Sequence, residues 1–161
     1  MPELVKVGMA DLKVGKAPAT LISYGLGSCI RISLYDPQLK VGGLLHIMLP
    51  DSTQSRANEN RAKFADTGIP DMLDQVLKLG ASRGRLVAKI AGGAQMFAFA
   101  NATDIMRVGQ RNAAAAKEVL SGLGIPVVGE DTGGNYGRTV SIDLSTGVYV
   151  VKTIDKGEKE I

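Results

Sequence analysis

The chain contains one cysteine and one histidine, Cys29 and His46, and together these residue types can perform nucleophilic catalysis. Cys29 follows a glycine-rich stretch, Gly25-Leu26-Gly27-Ser28. Two glycines let the backbone form a tight turn, which can aim backbone N–H groups at one point. The pattern therefore predicts Cys29 as a nucleophile that attacks a carbonyl carbon. The backbone N–H groups of Gly27 and Ser28 would hold the oxygen that becomes negative.

His46 lies within a nearly unbroken apolar run, residues 41–49, which is typical of a strand covered on both faces. A neutral imidazole within hydrogen-bonding distance of a thiol can take its proton. Cys29 and His46 each lie near the end of a predicted strand, and adjacent antiparallel strands would bring them together. The pattern predicts His46 as the base that serves Cys29.

Each of these residues also has a purely structural interpretation, and the residue pattern alone leaves it open. A single cysteine can be a small buried apolar residue, and a histidine in an apolar run can be a hydrogen-bonded core residue. A dinucleotide-binding loop is disfavoured, because Ile30 replaces the third glycine of that motif and a strand rather than a helix follows.

The elements that must position these residues can be read from hydrophobic periodicity. Residues 30–35 alternate between apolar and other residues, which predicts a strand with one buried face. A helix is predicted to begin near Asp66 or Thr67 and end at Gly80, and a second to span residues 110–120. Further strands are predicted near residues 5–10, 20–24, 86–90 and 126–129. Residues 139–144 and 148–153 form a predicted hairpin, residues 50–61 an exposed loop, and residues 156–160 a solvated tail.

These elements predict an α/β (α+β) fold with a mixed β-sheet or sandwich core, helices packed outside and one domain spanning residues 1–161. Its 161 residues with 45% hydrophobic content suffice for a single core. The net charge of +3 and the 4% aromatic content disfavour a nucleic-acid partner. No apolar run approaches the roughly 20 residues that a membrane span needs, so we expect a cytoplasmic protein without membrane insertion. We expect neither a metal nor an organic cofactor.

Five blocks of the sequence, in order, resemble the CheD family. They are Gly25 to Cys29, Gly43 to Ser52, Lys63 to Thr67, Lys89 to Ala94 and Glu130 to Asn135. The resemblance implies an enzyme that converts glutamines of methyl-accepting chemoreceptors to glutamates, with hydrolysis of methyl esters as a related activity. It implies that Cys29 and His46 are catalytic. The third catalytic residue of the family is typically a threonine, and Ser23 stands at the matching position, where it would orient His46.

The resemblance also bears on substrate and partner. The cytoplasmic domain of a chemoreceptor is the implied substrate. Apart from the resemblance, Asn135 and Arg138 are candidates for contacting a substrate. The phosphatase CheC is a further implied partner. Two alternatives remain at this point: a non-enzymatic regulator that docks CheC, and a thiol hydrolase of small amides.

Overall fold

The computed structural model describes residues 3–24, 29–50, 52, 60–93, 108–133, 137–153 and 157–161. Three predicted site residues, Gly27, Ser28 and Asn135, lie outside these ranges. Most of the predicted loop over residues 50–61 lies outside them as well.

Ten strands and two α-helices form in the described ranges. In chain order they are β1 (Leu4–Lys6), β2 (Asp11–Lys16), β3 (Thr20–Ser23), β4 (Ile30–Asp36), β5 (Val41–Ile47), α1 (Ala65–Lys78), β6 (Val87–Gly92), α2 (Val108–Gly122), β7 (Val127–Thr132), β8 (Thr139–Asp143), β9 (Val148–Thr153) and β10 (Gly157–Glu160). The predicted hairpin is confirmed, because β8 and β9 pair antiparallel.

The strands form two five-stranded sheets. Sheet 1 has the order β1-β3-β8-β9-β10 and sheet 2 the order β2-β5-β4-β6-β7. Both sheets are mixed, since β1 runs parallel to β3 and β6 runs parallel to β7. Apolar side chains of both helices pack on one face of sheet 2, and a second apolar cluster lies between the two sheets. The result is three layers, and the predicted mixed sandwich with helices outside is confirmed.

Strand β4 differs from its prediction, because all seven of its residues are buried. Its alternate residues point to opposite faces, as in any strand. Ile30, Ile32 and Leu34 pack toward the helices, and Tyr35 packs toward sheet 1. The polar residues of the alternation, Arg31 and Ser33, therefore face the interior between the sheets rather than solvent. A strand in the middle of three layers has no solvent-facing side.

Two other boundaries differ from the prediction. Residues 157–160, expected in a solvated tail, form β10 and pair antiparallel with β9. Helix α1 begins at Ala65 with Phe64 as its N-cap. Asp66, the expected cap, lies in the first turn, where its carboxylate accepts hydrogen bonds from Ser52 N at 3.0 Å and Ser52 Oγ at 2.8 Å.

Within the described ranges, neither helix has the length and apolar character needed to cross a membrane.

The carboxylate of Asp36 ties the end of β4 to the turn before β6. Its side chain is fully buried, and Arg85 donates from Nε and Nη2 at 3.0 and 2.9 Å. The backbone N–H groups of Gln38, Leu39 and Ser82 donate to the same carboxylate. The Arg85 hydrogen bonds first, and these backbone donors second, hold the pKa of the Asp36 carboxyl well below its usual range.

Asp36→Asn should lower the free energy of unfolding by about 2 to 4 kcal/mol at neutral pH, because it removes a buried charge from five donors. Urea unfolding measures this change. The lowered pKa means that the stabilisation is present above about pH 4 and is lost as the pH falls below it, so the two proteins should converge in acid. The exposed Asp74→Asn on α1 is the matched control, with an expected change within about 0.5 kcal/mol. A constant difference between Asp36→Asn and the wild type down to about pH 2 would contradict the assignment.

Candidate active site

Strand pairing brings the three predicted catalytic residues to one end of the sandwich. Cys29 directly precedes β4, His46 is the next-to-last residue of β5, and Ser23 is the last residue of β3. Strands β4 and β5 pair antiparallel with Ile30 opposite Ile47, so the start of one lies beside the end of the other. Ser23 approaches from sheet 1, whereas Cys29 and His46 belong to sheet 2. The candidate site is therefore formed between the sheets.

Ser23 and His46 meet in a buried hydrogen bond. Ser23 Oγ lies 3.0 Å from His46 Nδ1, and the two residues are 0% and 1% exposed. When Nδ1 carries the proton and donates it to Ser23 Oγ, the lone pair of the neutral ring is on Nε2. This contact is the geometry expected of a residue that orients a catalytic imidazole.

The second ring nitrogen of His46 is buried and has no hydrogen-bond partner in the described part of the chain, Cys29 included. A buried polar atom without a partner is uncommon and needs an explanation. A proton-transfer residue would present such an atom before its reaction partner binds. Nε2 is therefore available to exchange a proton at this end of the sandwich.

Burial controls the protonation of both Cys29 and His46. Burial first, and the nearby charge of Arg31 second, lower the pKa of His46 to about 4, while Asp11 acts in the opposite direction. Burial raises the pKa of the Cys29 thiol, and the Arg31 charge partly opposes this. At neutral pH the resting pair is therefore a thiol and a neutral imidazole. Such an imidazole can accept a proton.

Arg138, a predicted substrate contact, is 1% exposed and makes its described contacts inside the protein. Its Nε lies 3.1 Å from Asp131 Oδ2, and its Nη2 donates to the Gly133 carbonyl oxygen at 2.8 Å. Lys159 of β10 lies 3.1 Å from the other oxygen of Asp131. Contact of Arg138 with substrate stays a prediction. So do the roles of Gly27, Ser28 and Asn135, which lie outside the described ranges.

Sequence reasoning missed one residue at this site, Arg31. It pairs with His46 in the β4–β5 ladder and follows Cys29 by two positions. The available signal was a charged residue within an apolar strand directly after the cysteine. Among the described residues, no three His, Cys, Asp or Glu side chains cluster as metal ligands do.

Comparison with known proteins finds a family model, described as CheD chemotactic sensory transduction, that matches residues 48–153. A protein of Lachnoclostridium phytofermentans is 53% identical over 161 residues, covering 100% of both chains. One of Caldanaerobacter subterraneus subsp. tengcongensis is 55% identical over 159 residues, covering 99% of this chain and 98% of the relative. One of Syntrophomonas wolfei is 53% identical over 161 residues, covering 100% of both chains. All three relatives are named "Probable chemoreceptor glutamine deamidase CheD".

The family model covers well over half of the chain, beginning two residues after His46. The relatives extend the similarity through the segment that carries Ser23, Cys29 and His46. The chain belongs to the CheD family of chemotactic sensory transduction proteins.

Proposed function

We propose that this chain hydrolyses the carboxamide of glutamine side chains on methyl-accepting chemoreceptors, converting them to glutamates. Membership of the CheD family and the names of the full-length relatives support this substrate. The structural observation that carries the proposal is the buried Ser23–His46 hydrogen bond beside the only cysteine of the chain. It leaves a neutral ring nitrogen available for proton transfer at the nucleophile.

The first half of the proposed reaction forms a thioester. His46 Nε2 accepts the proton of the Cys29 thiol as the sulfur attacks the carboxamide carbon of glutamine. Backbone N–H groups, which we propose to be those of Gly27 and Ser28, stabilise the tetrahedral oxyanion, a contribution of about 3 to 4 kcal/mol per donor in comparable sites. The imidazolium then protonates the departing nitrogen. Ammonia leaves, and the glutamyl group stays on sulfur.

The second half regenerates the enzyme. His46, neutral again, takes a proton from a water molecule that attacks the thioester carbon. Collapse of the second tetrahedral intermediate breaks the carbon–sulfur bond, and the thiolate regains a proton from the imidazolium. The sum is one carboxamide and one water converted to one carboxylate and one ammonium ion, and the reaction consumes no cofactor.

The pKa shifts at the site favour proton transfer during attack rather than a stable thiolate–imidazolium pair. Burial raises the pKa of Cys29 and lowers that of His46, so the ion pair is disfavoured at rest. A protonated thiol also reacts more slowly with oxidants than a preformed thiolate does. The same low pKa makes the transient imidazolium a strong acid, which suits it to protonate the leaving nitrogen.

We also propose the domain extent, the location of the substrate and the partner, and family membership supports these proposals. The chain acts as one domain, residues 1–161, on the cytoplasmic part of a receptor, and CheC is a proposed partner. Two alternative roles, docking of CheC without catalysis and hydrolysis of small free amides, differ from deamidation in their dependence on Cys29 and on the receptor. Turnover of the receptor fragment and of free glutamine therefore distinguishes the three roles.

Cys29→Ala should abolish deamidation while preserving the fold, because a small side chain is replaced with little loss of packing. Mass spectrometry of a receptor cytoplasmic fragment measures the reaction, since each deamidation adds about one mass unit by exchanging NH2 for OH. A circular dichroism melt establishes the folded state of the variant. Wild-type turnover by folded Cys29→Ala would end the hydrolase proposal, and hydrolysis of free glutamine at the rate of the receptor fragment would favour the small-amide role.

The acid limb of kcat/KM should have its midpoint near pH 4, well below the usual histidine value, because His46 must be neutral to accept a proton and its pKa is lowered to about 4. His46→Ala should reduce kcat by at least about a hundredfold, the usual loss when a general base is removed. Initial rates on the receptor fragment across the acid range measure both. A midpoint near the unperturbed histidine value would show that the reactive imidazole is solvated.

Ser23→Ala should lower kcat by less than the loss at Cys29, because His46 can still act when it is less well oriented. Ser23→Thr should keep activity, since it retains the hydroxyl and the added methyl suits a strand. Ser33→Ala is the matched control, because Ser33 is also buried in the sandwich but its hydroxyl donates to Lys89 O, away from the site. Equal rates for Ser23→Ala and wild type would remove Ser23 from the mechanism.

A further inference from the structure

Arg31 is a fully buried cation that has no acidic partner among the residues that the structure describes. Its side chain is 0% exposed, and no ion pair of Arg31 occurs within the described part of the chain. Nη2 donates to the Arg138 carbonyl oxygen at 2.9 Å, Nη1 donates to the Cys29 carbonyl oxygen at 3.5 Å, and Nε has no partner. A guanidinium stays protonated in a protein interior. Within the described ranges, its charge is therefore met by carbonyl dipoles.

Two acids stand in the same row of sheet 2 as Arg31, and both are engaged by other groups. Asp131, on β7, forms an ion pair with Arg138 through one carboxylate oxygen and with Lys159 through the other. Asp11, on β2, accepts hydrogen bonds from Gly8 N and Leu12 N. Tyr149, on β9, donates its hydroxyl to the Arg31 carbonyl oxygen at 2.9 Å, and burial raises its pKa, so it stays neutral. The charge of Arg31 thus remains in excess behind the site.

The strand register places this charge behind the two reactive side chains. Arg31 and His46 are directly paired across β4 and β5, so their side chains leave the same face of sheet 2, toward sheet 1. The Nη1 contact with the Cys29 carbonyl keeps the guanidinium beside the residue that carries the thiol. The charge of Arg31 acts on both groups: it partly opposes the burial that raises the pKa of Cys29, and it adds to the burial that lowers the pKa of His46.

A buried unpaired cation is costly, and it is compensated when an anion forms beside it. In the proposed reaction the negative charges that form are on the Cys29 sulfur, on the oxygen of each tetrahedral intermediate and on the product carboxylate. A positive charge nearby also makes the His46 imidazolium a stronger acid at the moment when it must protonate the departing nitrogen, which then leaves as ammonia. Arg31 would therefore stabilise each of these anions without contacting substrate.

We infer that Arg31 is an electrostatic positioning residue of this site, whose buried guanidinium stabilises negative charge on Cys29 and on the reacting carbonyl. This inference rests on the proposed function for its effect on turnover. Its effect on the thiol itself is independent of that function.

Arg31 also links the two sheets, through its bond to Arg138 O and the Tyr149 hydroxyl bonded to its own carbonyl. A test must separate this structural contribution from the charge. Three variants do so: Arg31→Met removes the charge at similar length, Arg31→Lys keeps it, and Tyr149→Phe removes one link between the sheets with Arg31 intact.

Two measurements are made on each folded variant. The first is the rate of Cys29 alkylation by iodoacetamide across pH, which reports the thiol alone. The second is kcat and KM for the receptor fragment. Arg31→Met should shift the alkylation midpoint up by about one pH unit and lower kcat about tenfold, with KM within about twofold of wild type. Arg31→Lys should have an alkylation midpoint and a kcat close to those of wild type. Tyr149→Phe should change the melting temperature and leave the alkylation midpoint unchanged.

An unchanged alkylation midpoint in Arg31→Met, or the same shift in Tyr149→Phe, would overturn the inference. Arg31→Gln serves as a second neutral variant, and failure of both neutral variants to fold would assign Arg31 a structural role and also overturn it. The two proposals fail separately. If wild type does not deamidate the receptor fragment but the alkylation shift is present, the proposed function fails and the action of Arg31 on the thiol stands.

Discussion

The hydrogen bond between Ser23 and His46 joins the two sheets of the sandwich, and the candidate site depends on this link. Ser23 belongs to sheet 1 and His46 to sheet 2, so the imidazole is oriented only while the sheets keep their spacing. The apolar cluster between the sheets, which includes Leu21, Leu44 and Tyr149, maintains that spacing. The packing of the core therefore also fixes the orientation of the imidazole, because a shift of one sheet against the other would change the 3.0 Å distance between Ser23 Oγ and His46 Nδ1.

Burial stabilises the uncharged resting forms of Cys29 and His46 and destabilises their charged forms. It holds the thiol protonated and the imidazole neutral, which protects the resting enzyme but makes the charged stages of the reaction costly. By our inference, the charge of Arg31 offsets this cost for the anionic stages, because it favours negative charge on Cys29. A site enclosed between sheets can use one such cation effectively, because little water screens it.

Much of the arrangement could be predicted from residue patterns and from the resemblance. The helices, most strands and the grouping of Ser23, Cys29 and His46 at strand ends follow from periodicity, glycine placement and ordered motifs, although the catalytic roles stay predictions. The two buried faces of β4 could not be predicted, because alternation reports residue type and not which layer covers each face. Arg31 was missed for that reason. Strand β10 was missed because a short charged segment gains its order from pairing with β9, a tertiary contact with no local signal.

The path of the chain through the two sheets has a consequence for folding kinetics. Ser23 and His46 are close in sequence, but β3 is held in sheet 1 by pairing with β8, where Ser23 stands opposite Val140. Pairing across so long a loop is slow relative to local hairpins such as β4–β5. The cysteine strand and the histidine strand can therefore associate before the sandwich closes over them. In a chain whose sheets have not closed, the thiol is open to solvent and oxidants, whereas in the folded molecule Cys29 is buried.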